Sequence, residues 1–195
     1  MEQNGKREQI IAAATTILLK ENYQNMKTAS IAREAGIAEG TIYQYFTSKR
    51  ELFLEVLKSV SSALGKVFMK EISPERGLKE NLLGLAEKFY NQREEVEILY
   101  RILYKAFSEV EDTDIREALA KSYFDALGTI RVMLLSCLAK EDITLSETRL
   151  STITMYVWGI GDMMWKNHVF SNSFPQNPDI YADIAESLYG MIVSG

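Results

Sequence analysis

The residue types with the clearest chemical potential lie within one short segment that ends at Lys49. Thr41 and Tyr43 carry hydroxyl groups that suit hydrogen bonding to phosphate oxygens, and Lys49 adds a positive charge. Gln44 has an amide that can pair with adenine through two hydrogen bonds. Gly40 has no side chain, so the backbone there can approach another surface closely. Together, phosphate donors and a base-pairing amide are typical of a segment that contacts DNA.

Short helices must position this segment. Thr28 can cap a helix over residues 28–35, and Gly36 then supplies the left-handed residue that ends it. A second short helix is predicted over residues 39–46, with Ile42 on its buried face. Two short helices separated by a glycine turn form a helix-turn-helix, whose second helix enters the major groove of DNA.

The rest of the chain also carries helical patterns, and the sequence predicts about nine helices and no strands. A first helix is expected over residues 6–21. Later helix starts are marked by capping boxes, or by a capping residue followed by proline at the first helical position. These signals are Ser48 with Glu51, Ser73 with Pro74, Thr144 with Glu147, and Asn177 with Pro178. The predicted fold class is therefore all-α.

Composition describes an ordinary globular protein. The 195 residues have a formal net charge of -5 and are 47% apolar. A single cysteine excludes a disulfide within the chain and a zinc site of several thiolates, which favours a reducing compartment. No stretch approaches the roughly 18 consecutive apolar residues of a membrane span, and the first nine residues lack the apolar core of a signal peptide. The expected location is cytoplasmic, without a membrane partner.

Charge is distributed unevenly along the chain. Residues 1–58 carry 8 Lys+Arg and 7 Asp+Glu, a net of +1, whereas residues 59–195 carry 14 and 20, a net of -6. A net of +1 is far from the strongly basic surface of a nonspecific nucleic-acid binder. It permits a small, nearly neutral DNA reader attached to an acidic body.

The sequence offers little for catalysis. It contains one histidine and one cysteine, and it has no Gly-rich phosphate loop, metal-ligand cluster or nucleophile elbow. We therefore expect no enzyme activity, no cofactor and no metal. One rival is an enzyme that uses an apolar cavity for lipid or aromatic chemistry. The other is a helical dimer that acts as a protein-interaction module without sequence-specific DNA binding.

The pattern of residues resembles the DNA-binding domain of the tetracycline-repressor (TetR) family of bacterial regulators over about residues 6–55. The matching positions are Thr28, Ile31, Ala32, Ala35, Gly36, Ile37, Gly40, Thr41, Ile42, Tyr43, Gln44, Tyr45, Phe46, Lys49 and Leu52. The resemblance implies a helix-turn-helix DNA-binding domain over residues 1–50 and a ligand-binding and dimerisation domain over residues 51–195. It also implies a homodimeric repressor that binds a palindromic double-stranded DNA operator and a small apolar or amphipathic effector.

Carried over by position, the resemblance implies ten DNA-binding residues. They are Thr28, Ala29, Ala38, Glu39, Gly40, Thr41, Tyr43, Gln44, Tyr45 and Lys49. The hydroxyl-bearing residues and the lysine would contact phosphates, and the remaining five lie where relatives often read bases. Glu39 departs from this expectation, because phosphates repel a carboxylate unless it accepts a hydrogen bond from a cytosine amino group. The alternative is a solvated acid at the start of a helix.

Aromatic and methionine side chains are frequent in the body, where they form either an ordinary core or a pocket for an apolar ligand. Analogy with the family places a pocket among the middle helices. Its predicted lining is Tyr100, Tyr104, Phe107, Tyr123, Met155 and Trp158, with Asp162 as either an anchor for a cationic group or a plain helix acid. The dimer interface is predicted on the last two helices, at Gly159, Ile184, Leu188 and Met191. A glycine inside a helix costs about 1 kcal/mol relative to alanine, which either close helix packing or a local kink would explain.

Overall fold

The computed structural model of the chain describes residues 2–70, 72–73, 75–91, 93–171 and 177–194. Over these residues it contains nine helices and no strand, which confirms the predicted fold class. The helices are α1 (Glu2–Lys20), α2 (Thr28–Glu34), α3 (Glu39–Tyr45), α4 (Lys49–Met69), α5 (Leu78–Asn91), α6 (Arg93–Phe107), α7 (Thr113–Lys140), α8 (Glu147–Ser171) and α9 (Pro178–Val193).

Contacts divide the chain into two compact units, and the first comprises residues 1–63 and 98–122. Ile10, Ala14 and Leu18 of α1 recur every four residues on one helical face, and all three are buried. Ile31 of α2 and Ile42 of α3 are also fully buried, so the two short helices are fixed by their apolar faces. This unit extends past residue 50, at which the sequence analysis divided the functional domains, and that division stays a prediction.

The second unit comprises residues 64–97 and 123–195. Helices α5 and α9 pack on each other within it, and its core joins side chains of α5, α7, α8 and α9. The core residues include Leu78, Leu82, Met133, Leu134, Cys137, Leu150, Ile153, Ala185, Leu188 and Ile192. Asn81, fully buried, ties Ser73 to α5, because its side-chain oxygen accepts from the Ser73 backbone N–H at 2.9 Å and its amide donates to the Ser73 carbonyl at 3.0 Å.

Two of the four predicted helix starts are confirmed. The hydroxyl of Ser48 accepts from the backbone N–H of Glu51 at 3.1 Å, and the side chain of Asn177 accepts from the N–H of Asp179 at 3.0 Å. The Thr144 prediction was wrong, because the hydroxyl of Ser146 accepts from the N–H of Arg149 and α8 begins at Glu147.

The prediction for α5 was also wrong. Pro74 lies outside the described residues, and α5 begins at Leu78. There the carboxylate of Glu141 accepts from the Leu78 N–H at 2.5 Å and takes the place of a local cap.

Among the described helices, α7 alone is long and apolar enough to cross a membrane by length and composition. Such a helix is weak evidence for a membrane span when it contributes to a protein core. Met133, Leu134 and Leu138 of α7 are buried in the core of the second unit.

Candidate nucleic-acid interface

The turn between α2 and α3 is set by Gly36. Its φ of +63° lies in the left-handed region that glycine adopts without strain. The Ile37 N–H donates to the Ala32 carbonyl at 3.0 Å, and the Gly36 N–H donates to the Arg33 carbonyl at 3.2 Å. This pair of bonds is a Schellman ending of α2, and it directs the chain into α3 as the sequence predicted.

Buried Ile42 defines the faces of α3. At 100° per residue, Gly40 and Gln44 lie on the face opposite Ile42, and both are exposed. Glu39 and Tyr43 form one edge of that face, and both are exposed, Tyr43 by 54%. The face opposite the core is therefore accessible for reading a surface.

The other edge of α3 carries Thr41 and Tyr45, which are half-buried. Tyr43 therefore faces outward, whereas Tyr45 packs partly against the protein. Ala29 of α2 is exposed, and so is Ala38, which precedes the first residue of α3. All ten predicted DNA-binding residues are accessible or half-buried, and whether each contacts DNA stays a prediction.

Thr28 does not have the role predicted within its helix. Lys27 occupies the capping position of α2, without a side-chain cap, and Thr28 is the first helical residue. The Thr28 hydroxyl donates to the carboxylate of Glu39, and the Tyr43 hydroxyl lies 3.5 Å from the Thr28 Oγ1. Glu39 is thus hydrogen bonded to α2 rather than a purely solvated acid.

Lys49 is held against the loop that precedes α2. Its ammonium donates to the Tyr23 carbonyl at 3.0 Å and lies 4.6 Å from the centre of the Tyr23 ring. Tyr23 in turn stacks on buried Phe53 at 4.5 Å between ring centres, and burial raises the pKa of its phenol. Lys49 therefore has a structural role beside the phosphate contact predicted for it.

The first turn of α4 is tied down by its acidic and basic side chains. The Glu51 carboxylate accepts from both the N–H and the hydroxyl of Thr47 at 2.6 Å, and these hydrogen bonds lower the pKa of Glu51. Arg50 donates to Asp112 at 2.5 Å and pairs with Asp114 at 2.9 Å. The start of α4, which directly follows the reading helix, is thereby fixed to the start of α7.

Asp112 and Lys105 are residues that the sequence analysis missed. Asp112 also accepts from the N–H of Ile115 at 3.1 Å, and its hydrogen bond to Arg50 is the main cause that lowers its pKa. The Lys105 ammonium donates to the Leu18 carbonyl at 2.5 Å and the Glu21 carbonyl at 3.1 Å at the end of α1, and burial lowers its pKa. Only the cap at Ile115 has a local signal, since aspartate is a common helix-capping residue. Arg50 lies 62 residues from Asp112, and the end of α1 lies more than 80 residues from Lys105, so no local pattern signals those contacts.

The seven predicted effector residues fall in both compact units. Tyr100, Tyr104 and Phe107 belong to the first unit and follow one another along α6, with ring centres about 6 Å apart. In the second unit, Tyr123 meets Trp158 edge-on at 5.6 Å.

The other two effector residues, Met155 and Asp162, also belong to the second unit. Met155 is exposed, and Asp162 accepts from Lys166 at 2.5 Å within α8. Asp162 is thus paired with its own helix, which favours the plain helix acid over an anchor.

A narrow apolar cavity of about 50 Å³ lies inside the second unit, among α5, α8 and α9. Its walls are apolar side chains with Gly161 and Tyr181, and none of the seven predicted effector residues contributes to it. Ile184 and Leu188, predicted at the dimer interface, both line this cavity. Drug-sized ligands occupy pockets of roughly 300 Å³ or more, so only a small apolar group fits this space without expansion.

The four residues predicted at the dimer interface differ in exposure. Gly159 and Met191 are exposed, and Ile184 is half-buried, but Leu188 is only 6% exposed because it packs in the core of its own unit. The exposed face of α8 around Gly159 is apolar, with Met155 at 59% and Met163 at 53% exposure.

Together, the fold and the interface define a helix-turn-helix DNA-binding protein with a helical body. Residues 10–56 match the model of the bacterial regulatory proteins of the tetR family. This match assigns residues 10–56 to a DNA-binding segment of the tetR type.

Individual relatives support the same assignment. The chain is 28% identical over 90 residues to the fatty acid metabolism regulator protein of Bacillus subtilis, covering 46% of each chain. It is 42% identical over 55 residues to the HTH-type transcriptional regulator HbdR of Aromatoleum sp., covering 28% of this chain and 24% of that protein. The matches therefore span less than half the length of these curated relatives.

The whole chain shares its fold with solved structures. A crystal structure from Mesorhizobium loti, described as a TetR-family regulator, superposes with a TM-score of 0.78 at 17% identity, over 100% of this chain and 98% of that chain. At this identity the likeness shows the fold alone.

Proposed function

We propose that this protein is a homodimeric repressor that binds a palindromic operator and is released by a small apolar or amphipathic effector. The observation that carries the proposal is the reading helix α3, fixed by Ile42 and the Gly36 turn, with Gly40 and Gln44 exposed on the face opposite the core. In a helix-turn-helix, this is the face that enters the major groove.

Each exposed position on α3 has a role in this proposal. Gln44 would read adenine, and Gly40 lets the helix backbone lie close to the base edges. Thr41 and Tyr43, on opposite edges of the face, would donate to phosphates on either side of the groove. Lys49 adds a charge beside them, although its ammonium is also bonded to the Tyr23 carbonyl.

An exposed apolar face on α8 supports the homodimer. Met155, Gly159 and Met163 recur every four residues on this face, and a Cβ added at Gly159 would meet nothing within 4 Å. A glycine lets two helix backbones approach closely, and the methionines on either side of it offer apolar surface for that contact. Met191 of α9 is also exposed and extends the candidate interface to the last helix.

The apolar cavity of the second unit supports an apolar effector. It is lined by α8 and α9, the same helices that carry the candidate dimer interface. A ligand group larger than about 50 Å³ must displace these helices to enter. In the displaced arrangement, the two α3 helices of the dimer would no longer match the spacing of the operator half-sites. A ligand that prefers this arrangement would therefore lower the affinity for DNA by linkage.

The contacts of α4 offer a route for this linkage within the first unit. Arg50, in the first turn of α4, is bonded to Asp112 and Asp114 at the start of α7. A shift of α7 would therefore move the helix that directly follows the reader. A regulator that binds chromosomal DNA works where that DNA lies, which supports the predicted cytoplasmic location.

The test is selection of the purified protein on a pool of random duplexes, followed by a salt titration of the selected sequence. We expect a palindrome whose half-sites lie about 10 base pairs apart or a multiple of that, bound with strong salt dependence. Addition of effector candidates to the selected duplex should then release the protein, and a reporter gene behind the operator should be repressed. A folded, dimeric protein that enriches no sequence would contradict the proposal and favour the protein-interaction module.

A further inference from the structure

Glu39 has a hydrogen-bond partner that its place at the start of α3 does not predict. The Thr28 hydroxyl donates to its carboxylate, and the Tyr43 hydroxyl lies 3.5 Å from the Thr28 Oγ1. Glu39 and Tyr43 are exposed and Thr28 is half-buried. These three side chains therefore form one connected polar group along an edge of the face that the proposed function turns toward DNA.

The Thr28 hydroxyl has a single proton to donate. While Glu39 accepts this proton, a DNA phosphate cannot. A phosphate that takes the proton displaces the carboxylate and leaves it unpaired beside a second negative charge. The predicted phosphate contact of Thr28 and the observed contact with Glu39 are thus alternatives, and DNA binding requires a new partner for the carboxylate.

We infer that Glu39 is a specificity-determining residue that exchanges the Thr28 hydroxyl for the exocyclic amino group of a base in the major groove. This inference rests on the proposed function, because it requires an operator. Cytosine and adenine offer amino groups in the major groove, but adenine places the acceptor N7 beside its amino group, where it repels a carboxylate. Cytosine is therefore the base that Glu39 selects in each half-site.

Repulsion at other sequences provides the discrimination. Guanine presents N7 and O6 in the major groove, and thymine presents O4 and a methyl group, so a carboxylate placed over either base has no hydrogen bond to accept from that base. A charge left unpaired on the wrong partner adds to specificity, as does a favourable contact with the right one. Glu39 thus weakens binding to unrelated DNA while it permits binding to an operator with cytosine at that position.

Selection on random duplexes tests the inference with four proteins: the wild type, Glu39→Ala, Glu39→Gln and Glu34→Ala. The last variant is a matched control, because it removes the same charge from the exposed final residue of α2. The wild type should enrich a palindrome with cytosine at one symmetric position, with a preference of about 5- to 150-fold per half-site.

Each variant has its own expected pattern. Glu39→Ala should lose the cytosine preference and bind unrelated duplexes several-fold more tightly. Glu39→Gln should shift the preference toward adenine, because an amide can pair with both its amino group and N7. Glu34→Ala should keep the wild-type pattern, and circular dichroism would verify that all four proteins are folded.

Two results would overturn the inference. If the wild type enriches a palindrome and Glu39→Ala enriches the same one, Glu39 only organises the protein, even if its affinity for unrelated DNA rises. If the wild type enriches a palindrome that Glu39→Ala changes at a position other than cytosine, the base assignment is wrong. Failure of the wild type to enrich any palindrome contradicts the proposed function itself, which separates the two failures.

Discussion

A charge placed at Gly159 should separate protomer stability from dimer formation. Gly159 is exposed on α8, and a Cβ built there meets nothing within 4 Å. The substitution Gly159→Glu therefore introduces no clash within the protomer. Glycine is about 0.8–1.0 kcal/mol less favourable than alanine in a helix, and glutamate is close to alanine. We expect the isolated protomer to gain several tenths of a kcal/mol in its free energy of unfolding.

The same change should be severe in the proposed dimer. Met155 and Met163 flank Gly159 on the exposed face, so two symmetry-related carboxylates would be buried among apolar side chains without a cation. The penalty for burying an unpaired ion is several kcal/mol. At about 4 kcal/mol, the dimer dissociation constant rises roughly a thousand-fold.

Sedimentation equilibrium and circular dichroism measure the two effects separately. The matched control is Gly128→Glu on α7, which is also exposed with nothing within 4 Å of its added Cβ. We expect Gly159→Glu to be a folded monomer. Gly128 also lies on an exposed apolar face, between Phe124 and Val132, so Gly128→Glu tests whether α7 rather than α8 forms the interface, and we expect it to remain dimeric. A Gly159→Glu protein with the wild-type dissociation constant would refute the interface. Loss of the dimer in both variants would show that added charge, rather than its position, is responsible.

Three further predictions concern stability, pH and DNA binding. Asn81→Leu should lower the free energy of unfolding by about 3 kcal/mol, because it removes several hydrogen bonds of a fully buried amide. A loss below about 1 kcal/mol in urea denaturation would contradict this. Arg50 lowers the pKa of Asp112, so their contact stabilises the fold above the unfolded-state pKa near 4 and is lost as pH falls through the lower folded pKa. Asp112→Asn should therefore make the free energy of unfolding less dependent on pH in the acid range. An unchanged pH dependence in that range would exclude the contact as its cause. Tyr43→Phe should weaken binding to all duplexes while Gln44→Ala relaxes preference at one base position, as measured by selection and titration; equal effects would contradict these separate roles.

Local signals in the sequence determined the helices and the reader. The turn at Gly36 could be predicted because a glycine adopts a left-handed φ without strain, whatever lies further along the chain. Ser48 and Asn177 cap their helices for the same reason, since a cap bonds to a backbone group only two or three residues away. The buried stripe on α1 likewise follows from helical spacing alone.

Local signals failed where a distant residue takes the place of a near one. The start of α5 is bonded to Glu141, 63 residues further along the chain, rather than to a neighbouring cap. At α8 the local pattern indicated a cap but the wrong residue, because Ser146, two residues after Thr144, accepts the hydrogen bond. Spacing identifies the candidates for such bonds, but only the path of the chain selects between them.

Only the tertiary structure decided the partners of long polar side chains and of apolar faces. Glu39 contacts Thr28, and Lys49 lies over the Tyr23 ring. Both contacts depend on how α2, α3 and α4 pack, because a long, flexible side chain can reach several different partners. Leu188 has the same helical spacing as an interface residue, yet it is buried in its own core. Helical periodicity shows that a face is apolar but not what covers it, and that choice belongs to the packing of the whole chain.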